Sequence, residues 1–225
     1  MIAVMLESIA LASGGLVSIG SVTIVILLLI SGNDFRNGLG YMLGYVGAYT
    51  VIGISAVVLS YNYTDTTQTA SQSPGIISSF LFSVIGFLLL WLAIRNWRKA
   101  PSNDNKPPRL FAILDTVTPI RAFAFGAAIS VINVKNLAIF MSAVSVLLLS
   151  DLLLPSKILI VLLDVLVFCT SVIVPVGIYL AFPESAYARL NWIKETLESH
   201  SRPISIWIPL IFSLVFLFQG IRGLL

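Results

Sequence analysis

Two residue types that build catalytic and metal sites are nearly missing from this chain. Its 225 residues include one cysteine, Cys169, and one histidine, His200. One cysteine excludes an internal disulfide and a multi-cysteine metal site, and one histidine excludes a histidine-rich metal cluster. No motif pairs a nucleophile with a base, and no glycine-rich phosphate loop is present. The sequence therefore predicts a protein that is not an enzyme, with no catalytic residue, no metal site and no cofactor.

Charge is scarce as well, and apolar residues take its place. Charged residues make up 10% of the chain, hydrophobic residues 58%, and the mean hydropathy is +1.00. A soluble domain is nearer ~25% charged, so this composition predicts an all-α integral membrane protein, with membrane lipids and no nucleic acid among its partners. The first residues, MIAVMLESIALAS, contain no Lys or Arg and include Glu7, which favours a first membrane helix over a signal peptide.

Six apolar segments are long enough to cross a bilayer, which needs ~20 residues per helix. They cover about 5–30, 37–60, 75–97, 119–149, 156–182 and 204–224. Thr118-Pro119 has the residue types of a helix cap and first helical position, and Pro155 stands at the start of span five. Ten of the thirteen Lys and Arg residues fall in the loops on one side. The positive-inside rule then predicts a multi-pass protein of the inner or plasma membrane with both termini outside the cytoplasm.

The Pro-rich segment between spans three and four divides the chain into two halves. We predict a first three-helix repeat over 1–98, a cytoplasmic linker over 99–117 and a second three-helix repeat over 118–225. Residues 13–31 and 126–150 share small residues, a polar break and a long aliphatic run that ends in Ser, with Ser18-Ile19 aligned to Asn133-Val134. Because the halves start on opposite sides, the predicted repeat is inverted, as in many transporters.

The stretch AISVINVKNLAIF places three polar residues, Asn133, Lys135 and Asn136, inside span four. Lys135 lies ~21 Å beyond Arg121 along a straight helix, at a depth where a charge costs ~2.5–3.5 kcal/mol. It could pair with Asp164 of span five, bind an anionic group of a substrate, or titrate and couple transport to protons. The cluster predicts a polar binding pocket, with Ser18, Gly20 and Ser21 of span one as its counterpart. Asp164 is assigned to a charge pair with Lys135 or to a proton relay.

Three further patterns concern packing. Gly40, Gly44 and Ala48 recur at four-residue spacing in span two, which indicates close helix packing. Pro175-Val-Gly177 predicts a kink in span five. The apolar face formed by Ala186, Leu190, Ile193 and Leu197 is equally consistent with a short helix on the cytoplasmic surface and with a solvated helical connector.

The stretches FLLLWLAIRNWRKAP (87–101) and PPRLFAILDTVTPIRAFAFGAAISVINVKNLAIFMSAV (107–144), together with FRNGLGYMLGYVGAYTVIG (35–53), resemble the GAP family. These are peptidoglycolipid or sulfolipid addressing proteins of the LysE transporter superfamily. The resemblance implies six spans in two inverted halves and a role in moving lipid-linked molecules or glycolipids outward. The family's Asn-Pro-Lys element reads Asn133-Val134-Lys135 here, and its Ser-Pro reads Ser18-Ile19. Both prolines are absent, which leaves open whether spans one and four are broken.

The predicted function is a LysE-type transporter that exports or flips a lipid-linked or glycolipid substrate with an anionic headgroup. Lys135, Asn133 and Asn136 would contact that headgroup, with Ser18, Gly20 and Ser21 across the pocket. Two alternatives remain open: an exporter of amino acids or ions that uses the same pocket, and a non-transporting scaffold for a lipid-modifying enzyme. A homodimer is one arrangement that the sequence allows.

Overall fold

The computed structural model of the chain describes residues 1–30, 35–66, 76–98 and 117–222, and in these residues every regular element is helical. The helices are α1 (Ile2–Ala12), a 3-10 turn (Ser13–Val17), α2 (Ile19–Ile30), α3 (Phe35–Thr66), α4 (Ile76–Arg98), α5 (Pro119–Ile132), α6 (Val134–Leu148), α7 (Leu154–Phe168), α8 (Thr170–Ala181), α9 (Ala186–Ser199) and α10 (Ser201–Arg222). The predicted all-α class is confirmed for this part of the chain. Most of the predicted linker, 99–116, lies outside the described residues.

Within the described ranges, a single helix is long and apolar enough to cross a membrane unbroken: α3, over Phe35–Tyr61. Three pairs of consecutive helices meet the same criterion when each pair is taken as one bent span, which gives up to four spans. The bends are 57° between Ile2–Leu16 and Ile19–Ile30, 73° between α5 and α6, and 64° between α7 and α8. The apolar helices identify a membrane protein, whereas six spans and an inverted repeat remain predictions.

Local sequence signals set where several helices begin. Thr118 caps α5 by accepting a hydrogen bond from the Arg121 N–H at 3.5 Å, and Pro119 is the first helical residue, as predicted. Pro155 likewise stands in the first turn of α7. Proline suits this position because the first N–H groups of a helix have no partner within the helix.

The bend in span five lies earlier than predicted. The chain breaks at Cys169, and Pro175 lies inside α8. Pro175 has no N–H for the Ser171 carbonyl, but Ser171 lies two residues after the break. The kink predicted at Pro175-Val-Gly177 was therefore wrong in position, since the 64° bend of span five lies at Cys169 and Pro175 stands within a continuous helix.

The predicted close packing of span two is confirmed, and its partner is α5. A side-chain carbon added at Gly40 would meet the Pro119 carbonyl, and one added at Gly44 would meet the Phe123 carbonyl. In return, a carbon added at Gly126 of α5 would meet the backbone of Tyr41. Glycine lets the two backbones approach because it has no side chain to separate them.

The two halves of the chain pack against each other element by element. Helix α1 packs on α6 and α7, α2 on α8, α3 on α5 and α7, and α4 on α10. The core contains a cluster of fully buried aromatic rings from α3, α6 and the end of α7: Tyr41, Tyr45, Tyr49, Phe140 and Phe168. Large apolar side chains also cover the outside, among them Ile120 (82% exposed) and Phe218 (69% exposed), as expected for a surface that faces lipid.

The amphipathic stretch forms a helix, α9, which packs on α2 and α8. Ala186 and Leu190 are fully buried on its inner face, while Tyr187 and Trp192 are exposed on the other. The apolar face therefore belongs to the core. This excludes the reading of α9 as a solvated connector.

Candidate functional site

Two polar residues interrupt helices without the help of proline. Ser18 separates the 3-10 turn from α2 with backbone angles φ −92° and ψ 79°, and Asn133 separates α5 from α6 with φ −76° and ψ 78°. These are the two positions aligned between the halves in the sequence. The question left open by the missing prolines is therefore answered: both spans are broken, and with closely similar backbone geometry.

Side chains stabilise these breaks locally. The Asn133 side-chain oxygen accepts the Asn136 N–H at 3.3 Å and so caps α6. Ser18 donates its hydroxyl hydrogen to Ser21 Oγ at 3.0 Å in the first turn of α2. Asn and Ser are efficient caps because a short side chain can reach the free N–H groups and hydroxyls of the first turn.

Asn136 joins the two breaks to each other. Its side-chain amide donates to Ser18 Oγ at 2.6 Å and to Tyr45 Oη at 3.1 Å. Asn136, Ser18, Ser21 and Tyr45 are all buried. We call Ser18, Ser21, Tyr45, Asn133 and Asn136 the break junction. The structure thus brings Ser18 and Ser21 into one hydrogen-bonded network with Asn133 and Asn136.

Gly20 lies outside this network. It is exposed, and a side-chain carbon added there would meet no atom within 4 Å. Gly20 therefore faces away from the junction although its neighbour Ser21 belongs to it, because successive residues of a helix are rotated by about 100° around its axis. Its predicted place among the pocket residues is not supported by its position.

Three tyrosines on one face of α3 line the junction, and the sequence-based prediction omitted them. Tyr41, Tyr45 and Tyr49 are fully buried and lie one helical turn apart, with ring centroids 6.1 Å and 5.0 Å from one to the next. Tyr49 donates to the Ser130 carbonyl at 3.2 Å, which ties α3 to α5 three residues before the Asn133 break. The Tyr41 hydroxyl is buried without a hydrogen-bond partner among the described residues. Their four-residue spacing was the signal that could have revealed them.

Two helix N-termini and a lysine give the junction positive charge. Helices α2 and α6 both begin there, and a helix N-terminus carries roughly half a positive charge from its aligned peptide dipoles. Lys135 lies half-buried in the first turn of α6, next to Asn136. The bend at Asn133 places Lys135 just past the turn between α5 and α6 rather than deep along one straight helix. Two helix N-termini, a lysine and several hydroxyl and amide groups suit an anion with several oxygen atoms.

Asp164 occupies a different place from the one predicted. It is completely buried in α7, and its Oδ1 lies 3.1 Å from the hydroxyl of Ser8 in α1. Its Oδ2 has no hydrogen-bond partner within the described part of the chain. No ion pair with Lys135 forms between these described residues, because Asp164 faces α1 while Lys135 stands at the start of α6. The predicted charge pair is thus not present in this structure, and the proton-relay role remains a prediction.

The described residues contain no group of three or more His, Cys, Asp or Glu side chains that could hold a metal ion. Cys169 is buried and free. The chemistry available at the junction is therefore that of hydrogen bonding and charge. Such groups can bind and release a polar group.

Comparison with known protein families identifies a relationship over nearly the whole chain. The family model described as Sap, sulfolipid-1-addressing protein, matches residues 9–222. The match covers both helix breaks, the tyrosines of α3 and Asp164. No curated protein and no solved structure matches the chain.

Proposed function

Because the chain belongs to the sulfolipid-1-addressing protein family, we propose that it is a LysE-type membrane transporter that exports or flips a lipid-linked or glycolipid substrate with an anionic headgroup. The family description names sulfolipid addressing, and the apolar helices identify a membrane protein.

The observation that carries this proposal is the meeting of two helix N-termini at the break junction. Broken helices with their N-termini aimed at an anionic group are a recurrent way to bind substrates inside a membrane. Lys135 would supply a full positive charge for a sulfate or phosphate group, and Asn133 and Asn136 would supply amides. Tyr41 adds a buried hydroxyl that has no partner among the described residues.

Binding would exchange one set of hydrogen bonds for another. In this structure the Asn136 amide is occupied by Ser18 and Tyr45. A headgroup oxygen that accepted from Asn136 and Ser18 would replace the direct bond between α6 and the end of the 3-10 turn. The two broken spans would then be linked through the substrate, and their relative position could differ between the empty and loaded states.

The paired breaks also support the proposed architecture of six spans in two inverted repeats. Ser18 and Asn133 occupy aligned positions of the two halves, and their ψ angles differ by one degree. In transporters of this design, one repeat rocks against the other around a site at the repeat interface. The proposed location is the inner or plasma membrane with both termini outside.

Native mass spectrometry of the protein in mild detergent tests the proposal. Wild type is compared with Lys135→Ala and with Lys194→Ala, since Lys194 is a half-buried lysine away from the junction, in α9. We expect wild type and Lys194→Ala to retain a sulfated or phosphorylated lipid, and Lys135→Ala to lose it.

The other outcomes discriminate between the alternatives. A lipid retained by all three proteins is a structural lipid, and the role of Lys135 in headgroup binding is then wrong. If no folded variant carries a lipid, the small-solute exporter and the scaffold become the better explanations, and efflux assays separate those two.

A further inference from the structure

Asp164 and Ser8 form a second polar site, separate from the break junction. Asp164 lies ten residues beyond the start of α7, about 15 Å along the helix. Ser8 lies in the middle of α1, and both side chains are completely buried. A carboxyl group at such depth has no access to water, so its state must be explained by the protein atoms around it.

The distances around Ser8 are informative because its hydroxyl has a single hydrogen. Ser8 Oγ lies 3.1 Å from the Met5 carbonyl oxygen and 3.1 Å from Asp164 Oδ1. With an ionised Asp164, both neighbours are acceptors and only one can receive the hydrogen in full. With a protonated Asp164, the carboxyl donates to Ser8 Oγ and Ser8 donates to Met5. Both short contacts are then proper hydrogen bonds.

The remaining carboxyl oxygen supports the same protonation state. Oδ2 is buried and accepts no hydrogen bond from the described residues. A carboxylate would leave part of a full negative charge on this atom, whereas a carboxylic acid leaves only an unpaired carbonyl. An unpaired charge in an apolar interior is far more costly than an unpaired neutral group.

The titratable side chains on the surrounding helices do not neutralise Asp164. Helices α1, α3, α6 and α8 pack on α7. Glu7 of α1 and Arg36 of α3 are exposed, and Lys135 stands at the start of α6. Lys157 shares the buried face of α7 but lies seven residues earlier, about 10 Å along the axis. The remaining titratable side chains that the structure describes on these helices or between α7 and α8 cannot carry a positive charge: Tyr41, Tyr45, Tyr49, Tyr61, Tyr179 and Cys169.

We propose that Asp164 and Ser8 form a proton-binding site between α1 and α7, and that this structure shows the site with its proton bound. Proton binding by Asp164 and Ser8 does not depend on the function proposed above. Release of the proton during a transport cycle does rest on that function. Movement of α1 away from α7 would remove Ser8 from Asp164 and expose the carboxyl group. The proton would then have a route to water.

Infrared spectroscopy of the purified protein at neutral pH tests the site directly. A protonated carboxyl group has a carbonyl stretch that ionised carboxylates lack. We expect this band in wild type and in Asp151→Asn, whose exposed carboxyl group serves as the control, and its loss in Asp164→Asn. In Ser8→Ala the band should persist at a shifted frequency, because the acid has lost its acceptor.

Thermal unfolding provides a second, independent readout. The amide of Asp164→Asn can donate to Ser8 as the protonated acid does, so its unfolding midpoint should equal that of wild type. Asp164→Ala removes the donor and should unfold at a lower temperature. These results do not depend on lipid binding, so a failure of the Lys135 experiment leaves them unaffected.

Two outcomes would overturn the proposal. The first is a wild-type spectrum that lacks the band of a protonated carboxyl group, together with an Asp164→Asn variant that unfolds at as low a temperature as Asp164→Ala. This combination would mean that Asp164 is ionised. The other is a band that appears only after sodium or potassium is removed, which would identify a site for a metal cation instead of a proton.

Discussion

At the scale of single residues, Asn136 connects three parts of the chain. Its backbone belongs to α6, its N–H is capped by Asn133, and its amide reaches Ser18 and the α3 residue Tyr45. A buried amide that makes two side-chain bonds holds three parts of the chain in fixed positions. The same bonds are the ones that a headgroup would replace, so Asn136 has both a structural and a proposed binding role.

Replacing Asn136 with Ala should lower the free energy of unfolding by about 1–3 kcal/mol, because two interhelical hydrogen bonds are lost and Ser18 and Tyr45 are left with fewer partners. Chemical unfolding in detergent measures the effect. Asn191→Ala is the matched control, since the Asn191 amide donates to Glu195 on the exposed side of α9. Equal stability of the two variants would show that the junction contributes nothing to the fold.

At the scale of elements, the two breaks show that proline is not needed to interrupt a membrane helix. Ser18 and Asn133 leave the helical region of backbone space, and their side chains bond to Ser21 and to the Asn136 N–H in the next turn. The residues that follow, Ile19 and Val134, occupy first helical positions. A first helical position is where proline is best tolerated, so a proline could stand at either of these two residues.

Introducing that proline should therefore be nearly neutral. Val134→Pro is expected to change the free energy of unfolding by less than about 1 kcal/mol, because Val134 needs no N–H partner and is exposed. Leu137→Pro, only three residues later, should cost about 3 kcal/mol or more, since the Leu137 N–H bonds to the Asn133 carbonyl at 2.9 Å. Thermal unfolding of the two variants measures the contrast. A strong loss of stability in Val134→Pro would contradict the assigned break.

At the scale of the whole molecule, orientation in the membrane follows from the loops. The turn between α6 and α7 and the segment between α8 and α9 are predicted on opposite sides, outside and inside respectively. Asp151 and Glu184 are exposed in these two segments. The single native cysteine, Cys169, is completely buried, so it gives little background in a labelling experiment.

A membrane-impermeant thiol reagent should therefore label Asp151→Cys in intact cells. Glu184→Cys should become labelled only after the membrane is permeabilised. Wild type, which has only Cys169, should stay unlabelled in both conditions. The reverse pattern for the two variants would invert the proposed topology, and labelling of both in intact cells would place the two segments on one side.

The fold was predictable to the extent that its signals are local. Long apolar runs define helices wherever they occur, and Thr118-Pro119 marks the start of α5 without reference to the rest of the chain. The glycines of span two predicted close packing but could not name α5 as the partner. The bend at Cys169 was misplaced because the conspicuous local signal of span five, Pro175, lies six residues later, inside α8.

By itself, the sequence determined that this is a helical membrane protein with polar residues inside two apolar segments. Only the tertiary structure decided what those residues contact. Asn136 and Ser18 are 118 positions apart, and Ser8 and Asp164 are 156 apart. Composition and periodicity report on the neighbours of a residue along the chain, whereas hydrogen-bond partners in a buried site are set by which helices pack together. For this reason the sequence suggested an ion pair between Lys135 and Asp164, whereas in the structure Asp164 contacts the hydroxyl of Ser8.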